Sequence, residues 1–180
     1  VIKKISKERN APLFLPKKHE KIRFRYLNGS FQQENANIAL TAIDILKKYN
    51  KIRINENQIR NGIAKTKWKG RLEFIGKNIL IDCAHNLDGF QVLKKELLLI
   101  KNQKKIRNFI FVIGISNDKN IEGMLRIINP LVSIIIFTKS KNEKAADPAR
   151  LLKIFNKINN EKMFSTRNIF FLINNPKKAL

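Results

Sequence analysis

The chain has 180 residues, enough to bury a core of its own as one domain or as a domain with part of another. Its 37 Lys and Arg against 14 Asp and Glu give a formal charge of +23. The lysines are scattered through nearly every segment, and no run reaches the roughly five like charges of a basic tail, so nucleic acid is not the partner the pattern points to. One cysteine, Cys83, excludes an intrachain disulfide framework and a multi-thiolate metal site, and suits a reducing, cytoplasmic setting. No apolar run approaches the roughly twenty residues of a membrane span, and the opening VIKKISKERN lacks the apolar stretch of a signal peptide. A start on Val1 and an end in KKAL, within the first turn of a helix, suit a piece of a longer protein.

Residues 1–20 are polar and broken by Pro12 and Pro16, which predicts an extended connector. Ile22, Phe24 and Tyr26 alternate with charged residues over 21–26, the period of a half-buried strand, and Gly29-Ser30 turns the chain. Ala36, Ile38, Ala39, Leu40, Ile43 and Leu46 recur at helical spacing, so a helix is expected over 32–49. A second helix over 56–64 should open on a capping box made by Asn55 and Gln58. Two short runs, 71–75 and 79–82, flank the turn Gly76-Lys77-Asn78 and read as a β-hairpin.

Beyond the hairpin, helix and strand alternate: helix 87–100, strand 108–113, helix 121–128, strand 133–138, helix 148–159, strand 169–173. Asp147-Pro148 and Asn175-Pro176 each offer an N-cap followed by proline at the first helical position, so a further helix should begin at the end. Apolar strands separated by helices imply an α/β fold with a mostly parallel sheet flanked by helices on both faces.

Candidate functional groups gather where the second hairpin run stops. The apolar Ile79-Leu80-Ile81 ends at Asp82, and Cys83-Ala84-His85-Asn86 precedes a helix, placing Asp82, His85 and Asn86 in a strand-to-helix loop of the kind that meets ligands. Asp82 can accept hydrogen bonds from a ribose or orient a cation, or it can cap the following helix. His85 can move a proton, hold a carboxylate as imidazolium, or serve as a hydrogen-bonded structural residue. Arg71 carries a planar fork suited to phosphate oxygens, or pairs with Glu73 on a surface strand. Trp68 and Gly70 are expected to pack and turn at the hinge before it. Lys119 lies past the strand 108–113 and is either an anion contact or a solvated lysine.

WKGRLE followed by DCAHN resembles the W-x-G-R-x-E and D-G-A-H-N pair of the folylpolyglutamate synthase/dihydrofolate synthase family. The related Mur peptidoglycan ligases read D-D-Y-A-H-N-P at the loop, where this chain has Cys83 and Leu87 in place of the aromatic and the proline, so the folate branch fits better. LNGSFQQENANIAL is similar to the family's L-x-G-x-H-Q-x-x-N-A, with Phe31 at the histidine and Asn35 at the asparagine. FVIGISNDKNIEGML resembles its G-x-x-x-D-K-D segment through Gly114, Asp118 and Lys119, with Asn120 at the last acid, and Lys144-Ala145 stand where arginine-alanine is usual.

The resemblance implies a Rossmann-like, Mur-ligase C-terminal domain over 67–180, preceded by the incomplete tail of an ATPase domain over 1–66. It implies ATP contacts at Asn35, Arg71 and Asp82, and glutamate-side or loop contacts at His85, Asn86 and Lys119. The partners it implies are ATP, Mg²⁺, L-glutamate and folate or dihydropteroate, with no nucleic acid or membrane, in a monomer. No G-x-x-x-x-G-K-[ST] phosphate loop occurs in the chain. The resemblance assigns that loop and the Mg²⁺ ligands to an N-terminal part of the longer protein, and it leaves no metal ligand or catalytic residue in this piece.

Overall fold

A computed structural model describes residues 1–161 and 169–173, and the chain divides into two compact units, Val1–Asp82 and Cys83–Leu180. The first unit holds helices α1 (Ile2–Glu8), α2 (Gln32–Lys48) and α3 (Glu56–Ala64) and the hairpin strands β1 (Glu73–Ile75) and β2 (Ile79–Ile81). The connector expected over 1–20 opens instead on α1, a seven-residue helix that buries none of its side chains. Helix α3 begins as its sequence dictates, with both arms of the capping box closed: Asn55 Oδ1 accepts from the Gln58 amide at 2.9 Å, and Gln58 Oε1 from the Asn55 amide at 2.9 Å.

The alternation over 21–26 does not become a strand. Gln33, Asn37 and Thr41 lie four residues apart on α2 and so form one stripe. That stripe accepts the amides of Ile22 at 2.9 Å, His19 at 3.2 Å and Lys17 at 2.8 Å. Polar helix side chains therefore do for residues 17–22 what a neighbouring strand would do, and backbone donors that would be costly to leave unpaired are satisfied.

The second unit contains α4 (Leu87–Gln103), β3 (Phe109–Ile113), α5 (Ile121–Ile128), a 3₁₀ turn (Asn129–Leu131), β4 (Val132–Thr138), α6 (Pro148–Asn160) and β5 (Ile169–Ile173). The three strands are parallel in the order β3-β4-β5. Each helix opens on a side-chain cap: Asn86 accepts from the Gly89 amide, Asn120 from the Gly123 amide and Asp147 from the Ala149 amide. Only the last of these was anticipated. The helix expected at Asn175-Pro176 lies outside the described residues.

The core of this unit lies on one face of the sheet. Ile135 and Phe137 of β4 meet Met124, Leu125 and Ile128 of α5 and Leu151, Phe155 and Ile158 of α6. The Phe137 and Phe155 rings cross edge to face with centroids 5.7 Å apart. On the opposite face the register aligns Ile110, Ile134 and Ile169 in one row and Val112, Ile136 and Phe171 in the next. Those residues are not sequestered: Ile110 is 63% exposed, Ile169 55% and Phe171 51%. The expectation that helices cover both faces is therefore corrected among the described residues, because α5 and α6 both pack into the core that contains Ile135 and Phe137. Among the described residues β2 pairs with β1, antiparallel, as the expected hairpin.

No described helix is long and apolar enough to cross a membrane. Arg126 fastens α5 to the end of α6 by meeting Glu122 and Glu161, each at 2.6 Å. Its hydrogen bond, with Lys157 nearby, holds the Glu122 carboxyl below the usual glutamate value. A depressed carboxylate stabilises the fold above its ordinary pKa, and the effect is lost as pH falls through the folded value. Arg126→Ala should accordingly lower the melting temperature slightly at neutral pH, and thermal melts in acid, at about pH 3, should show that difference gone.

Candidate functional site

Between Lys69 and Glu73 the chain makes a tight turn in which Gly70 (φ 70°) and Leu72 (φ 45°) are both left-handed. Glycine accepts that geometry freely, whereas for leucine it costs about 1–3 kcal/mol unless the surroundings over-determine it. They do. Leu72 is 1% exposed, its amide donates to Asp82 Oδ2 at 3.0 Å, and its carbonyl accepts from Asn28 Nδ2 at 3.0 Å. The hairpin ladder thus ends at the Glu73–Ile81 pair, one residue short of the expected strand ends at Asp82, because the Asp82 side chain has taken the next amide.

Arg71 is held between the two left-handed residues and is half-buried. The pairing with Glu73 is not made, since Glu73 Oε2 accepts the Gly70 amide at 2.7 Å. Arg71 takes part in none of the ion pairs among the described residues. Gly70 does turn the chain as expected, but Trp68 does not pack, being 69% exposed.

The start of α2 is tied to the same turn. Asn35 Nδ2 donates to Gln32 Oε1 at 3.1 Å, and the buried Gln32 donates through Nε2 to the Asn28 carbonyl at 3.3 Å. With the Asn28–Leu72 and Leu72–Asp82 bonds, one hydrogen-bonded path runs from Asn35 through Gln32, Asn28 and Leu72 to Asp82. Two residues chosen on sequence grounds, Asn35 and Asp82, are therefore joined by one path, which passes through the residue that follows Arg71. The sequence reading missed Asn28, Gln32 and Leu72, although Gln32 stands in the glutamine position of the quoted segment. Asp82 does not cap α4, since Asn86 fills that role with its Oδ1 2.7 Å from the Gly89 amide.

In the second unit, His85 is exposed, with Nδ1 3.1 Å from the Cys83 carbonyl. Lys119 Nζ lies 3.0 Å from Asp118 Oδ2, and its hydrogen bond is the main reason the Asp118 carboxyl sits below the ordinary aspartate value. The loop after β3 is fastened to the loop after β4. The Asn117 amide donates to the Lys144 carbonyl at 2.7 Å, the Ala146 amide to the Ile115 carbonyl at 2.8 Å, and Arg150 Nη1 to Asn117 Oδ1 at 2.6 Å. Gly114 permits the close approach, because a Cβ there would stand 3.1 Å from the Thr138 carbonyl oxygen. The ends of β3 and β4 thus carry Lys119, Lys139, Lys144 and Arg150 against Asp118 and Asp147, a cationic rim where a parallel sheet receives ligands.

A cavity of about 390 Å³ lies elsewhere in the first unit, lined by His19, Ile22, Leu40, Ile59, Arg60 and Ile63 among others, and includes none of the candidate residues. Among the described residues no three His, Cys, Asp or Glu side chains converge as a metal site requires, so no step is assigned to a metal here.

Gly29 is where the turns before α2 and after Lys69 press together. At φ 105° it is left-handed, and a Cβ there would lie 2.5 Å from Phe31 Cε1 and 2.8 Å from Leu72 Cδ1. Gly29→Ala should destabilise this region by about 1–3 kcal/mol, read as faster amide exchange over residues 28–36 and at Leu72.

No protein-family model matches the chain. A curated relative, the dihydrofolate synthase/folylpolyglutamate synthase of Bacillus subtilis, is 27% identical over 113 residues, covering 62% of this chain and 26% of that protein. The chain thus spans about a quarter of that relative's length. Among solved structures, a folylpolyglutamate synthase from Thermotoga maritima superposes with a TM-score of 0.67 at 23% identity, covering 99% of this chain and 45% of that one. A Mycobacterium tuberculosis folylpolyglutamate synthase complexed with ADP and AMPPCP gives a TM-score of 0.66 at 22% identity, over 85% of this chain and 32% of that one. The sequence match, the shared fold and the paired GRLE and AHN segments agree in likening the chain to the folylpolyglutamate synthase/dihydrofolate synthase family.

Proposed function

We propose that this chain is the C-terminal part of an ATP-dependent ligase that adds L-glutamate to folate or dihydropteroate. In that reaction ATP phosphorylates the pteroate or folate carboxylate, and the glutamate amine attacks the acyl phosphate, forming the amide and releasing phosphate. The observation that carries the reading is the hydrogen-bonded path that gathers Asn35, Asp82 and the backbone beside Arg71 into one assembly. Arg71 grips phosphate oxygens with its fork, and Asp82 and Asn35 orient the rest of the nucleotide. His85, Asn86 and Lys119 serve the glutamate side, Lys119 and His85 by holding carboxylates. Residues 1–66 are then the tail of an ATPase domain and 67–180 the smaller C-terminal domain, in a cytoplasmic monomer. The phosphate loop and the Mg²⁺ ligands belong to the remainder of the ligase, and the reaction waits on its docking and on the exclusion of water.

Two measurements test this. The 180-residue chain alone should release no phosphate from ATP in response to glutamate and folate, and glutamate-dependent release would overturn its reading as an incomplete enzyme. In the longer ligase, Arg71→Lys should cut kcat/KM by about tenfold or more while Lys77→Ala, in the hairpin turn, leaves it nearly unchanged. Equal and small effects would return Arg71 to the status of a surface residue.

A further inference from the structure

Arg71 and Asp82 are exposed to solvent in part and lie just beyond the ends of two three-residue strands, so something must hold them to one geometry. The backbone of Leu72 links them: it follows Arg71 directly, and its amide is bound by Asp82. A left-handed leucine relaxes toward the extended region when its restraints are removed, because Cβ crowding disfavours the conformation it holds. Such a relaxation would rotate the peptide joining Arg71 to Leu72, turning the arginine and withdrawing the amide from Asp82. Asp82 restrains only one side of this residue. The carbonyl side is restrained by Asn28, whose Nδ2 lies 3.0 Å from the Leu72 oxygen. Asn28 is itself fixed, since its own carbonyl accepts from the buried Gln32, which also receives Asn35.

We infer that Asn28 is a positioning residue for the nucleotide contacts, acting through Leu72 to aim Arg71 and to keep the Asp82 carboxylate in place. This rests on the nucleotide role proposed above for Arg71 and Asp82. Asn28 touches no nucleotide itself. Its amide group is matched to the task because a side-chain N–H is needed to bind a carbonyl, and aspartate of the same shape has none to offer when ionised.

The test uses the 180-residue chain in three variants, Asn28→Ala, Asn28→Asp and Arg71→Lys. Amide exchange at Leu72 needs no ligand and reports the restraint directly. Trp68, the chain's single tryptophan, lies three positions before Arg71 and reports ATP binding by fluorescence at a temperature well below the melting transition. There, a variant that is merely less stable stays folded and binds as the parent does. Both Asn28 variants should accelerate exchange at Leu72 and weaken ATP by about tenfold, whereas Arg71→Lys should weaken ATP without altering Leu72 exchange. Unchanged Leu72 exchange in the Asn28 variants would overturn the restraint. Faster exchange with undiminished ATP affinity, while Arg71→Lys loses affinity, would overturn the positioning role and leave the nucleotide reading standing. Failure of the parent chain to bind ATP, or binding indifferent to Arg71→Lys, would sink the nucleotide reading and with it the role given to Asn28.

Discussion

The hydrogen bond from the Leu72 amide to the Asp82 carboxylate is the constraint on which the candidate site depends. It ends the hairpin ladder, holds a leucine in a backbone conformation that leucine disfavours, and joins the two residues on either side of the turn into one geometry. An unfavourable backbone angle persists only where several restraints agree. Here they are a carboxylate on the amide, an asparagine on the carbonyl, and near-complete burial of the side chain. Gly29 makes the burial possible, as it is the one residue type that lets the turn before α2 approach Leu72 so closely.

The second unit is organised by a different economy. Its core is a single apolar layer between the Ile135 and Phe137 face of the sheet and two helices, each opened by an asparagine or aspartate that accepts a backbone amide. Because the strands are parallel, their carboxyl ends lie together, and the loops that leave them are bound to each other main chain to main chain. Lys119 and Lys144 owe their common neighbourhood to those backbone bonds rather than to any direct attraction, since both are cations. Asn120 opens α5 by accepting the Gly123 amide, a role that an aspartate fills equally well.

The likeness to known ligases and this geometry bear on the chain at different scales. Similarity to known ligases covers about a quarter of the length of a matched relative, and it says nothing of how individual side chains are held. The hydrogen-bonded path from Asn35 to Asp82 supplies that detail within one compact unit. Phe31 illustrates the difference: its ring packs against Gly29, an apolar role that a motif comparison alone, with histidine in that place, would not disclose.

Local signals were sufficient for most of the secondary structure, because helical periodicity, capping residues and β-branched runs act over a few neighbouring residues. Helix α3, helix α5 and strand β5 fall where the sequence placed them, and the capping box of Asn55 and Gln58 closes as written. The candidate residues Asn35, Arg71 and Asp82 were legible from residue type and motif, but Asn28 was not, since nothing near it in sequence says that it will meet a carbonyl 44 positions away. The alternation over 21–26 was a true sign of amphipathic chain and a false sign of a strand, because strand formation needs a partner strand, whereas here the Ile22 amide goes to Gln33 of α2 and the Arg25 amide to the Ala64 carbonyl of α3. Likewise, an apolar strand reads the same whether one face or both are covered. The sequence by itself determined which segments are helix or apolar strand, and which residue types stand at their ends. Tertiary structure alone decided that α5 and α6 share one face of the parallel sheet and that a buried leucine is held left-handed, because each depends on contacts between residues far apart in the chain.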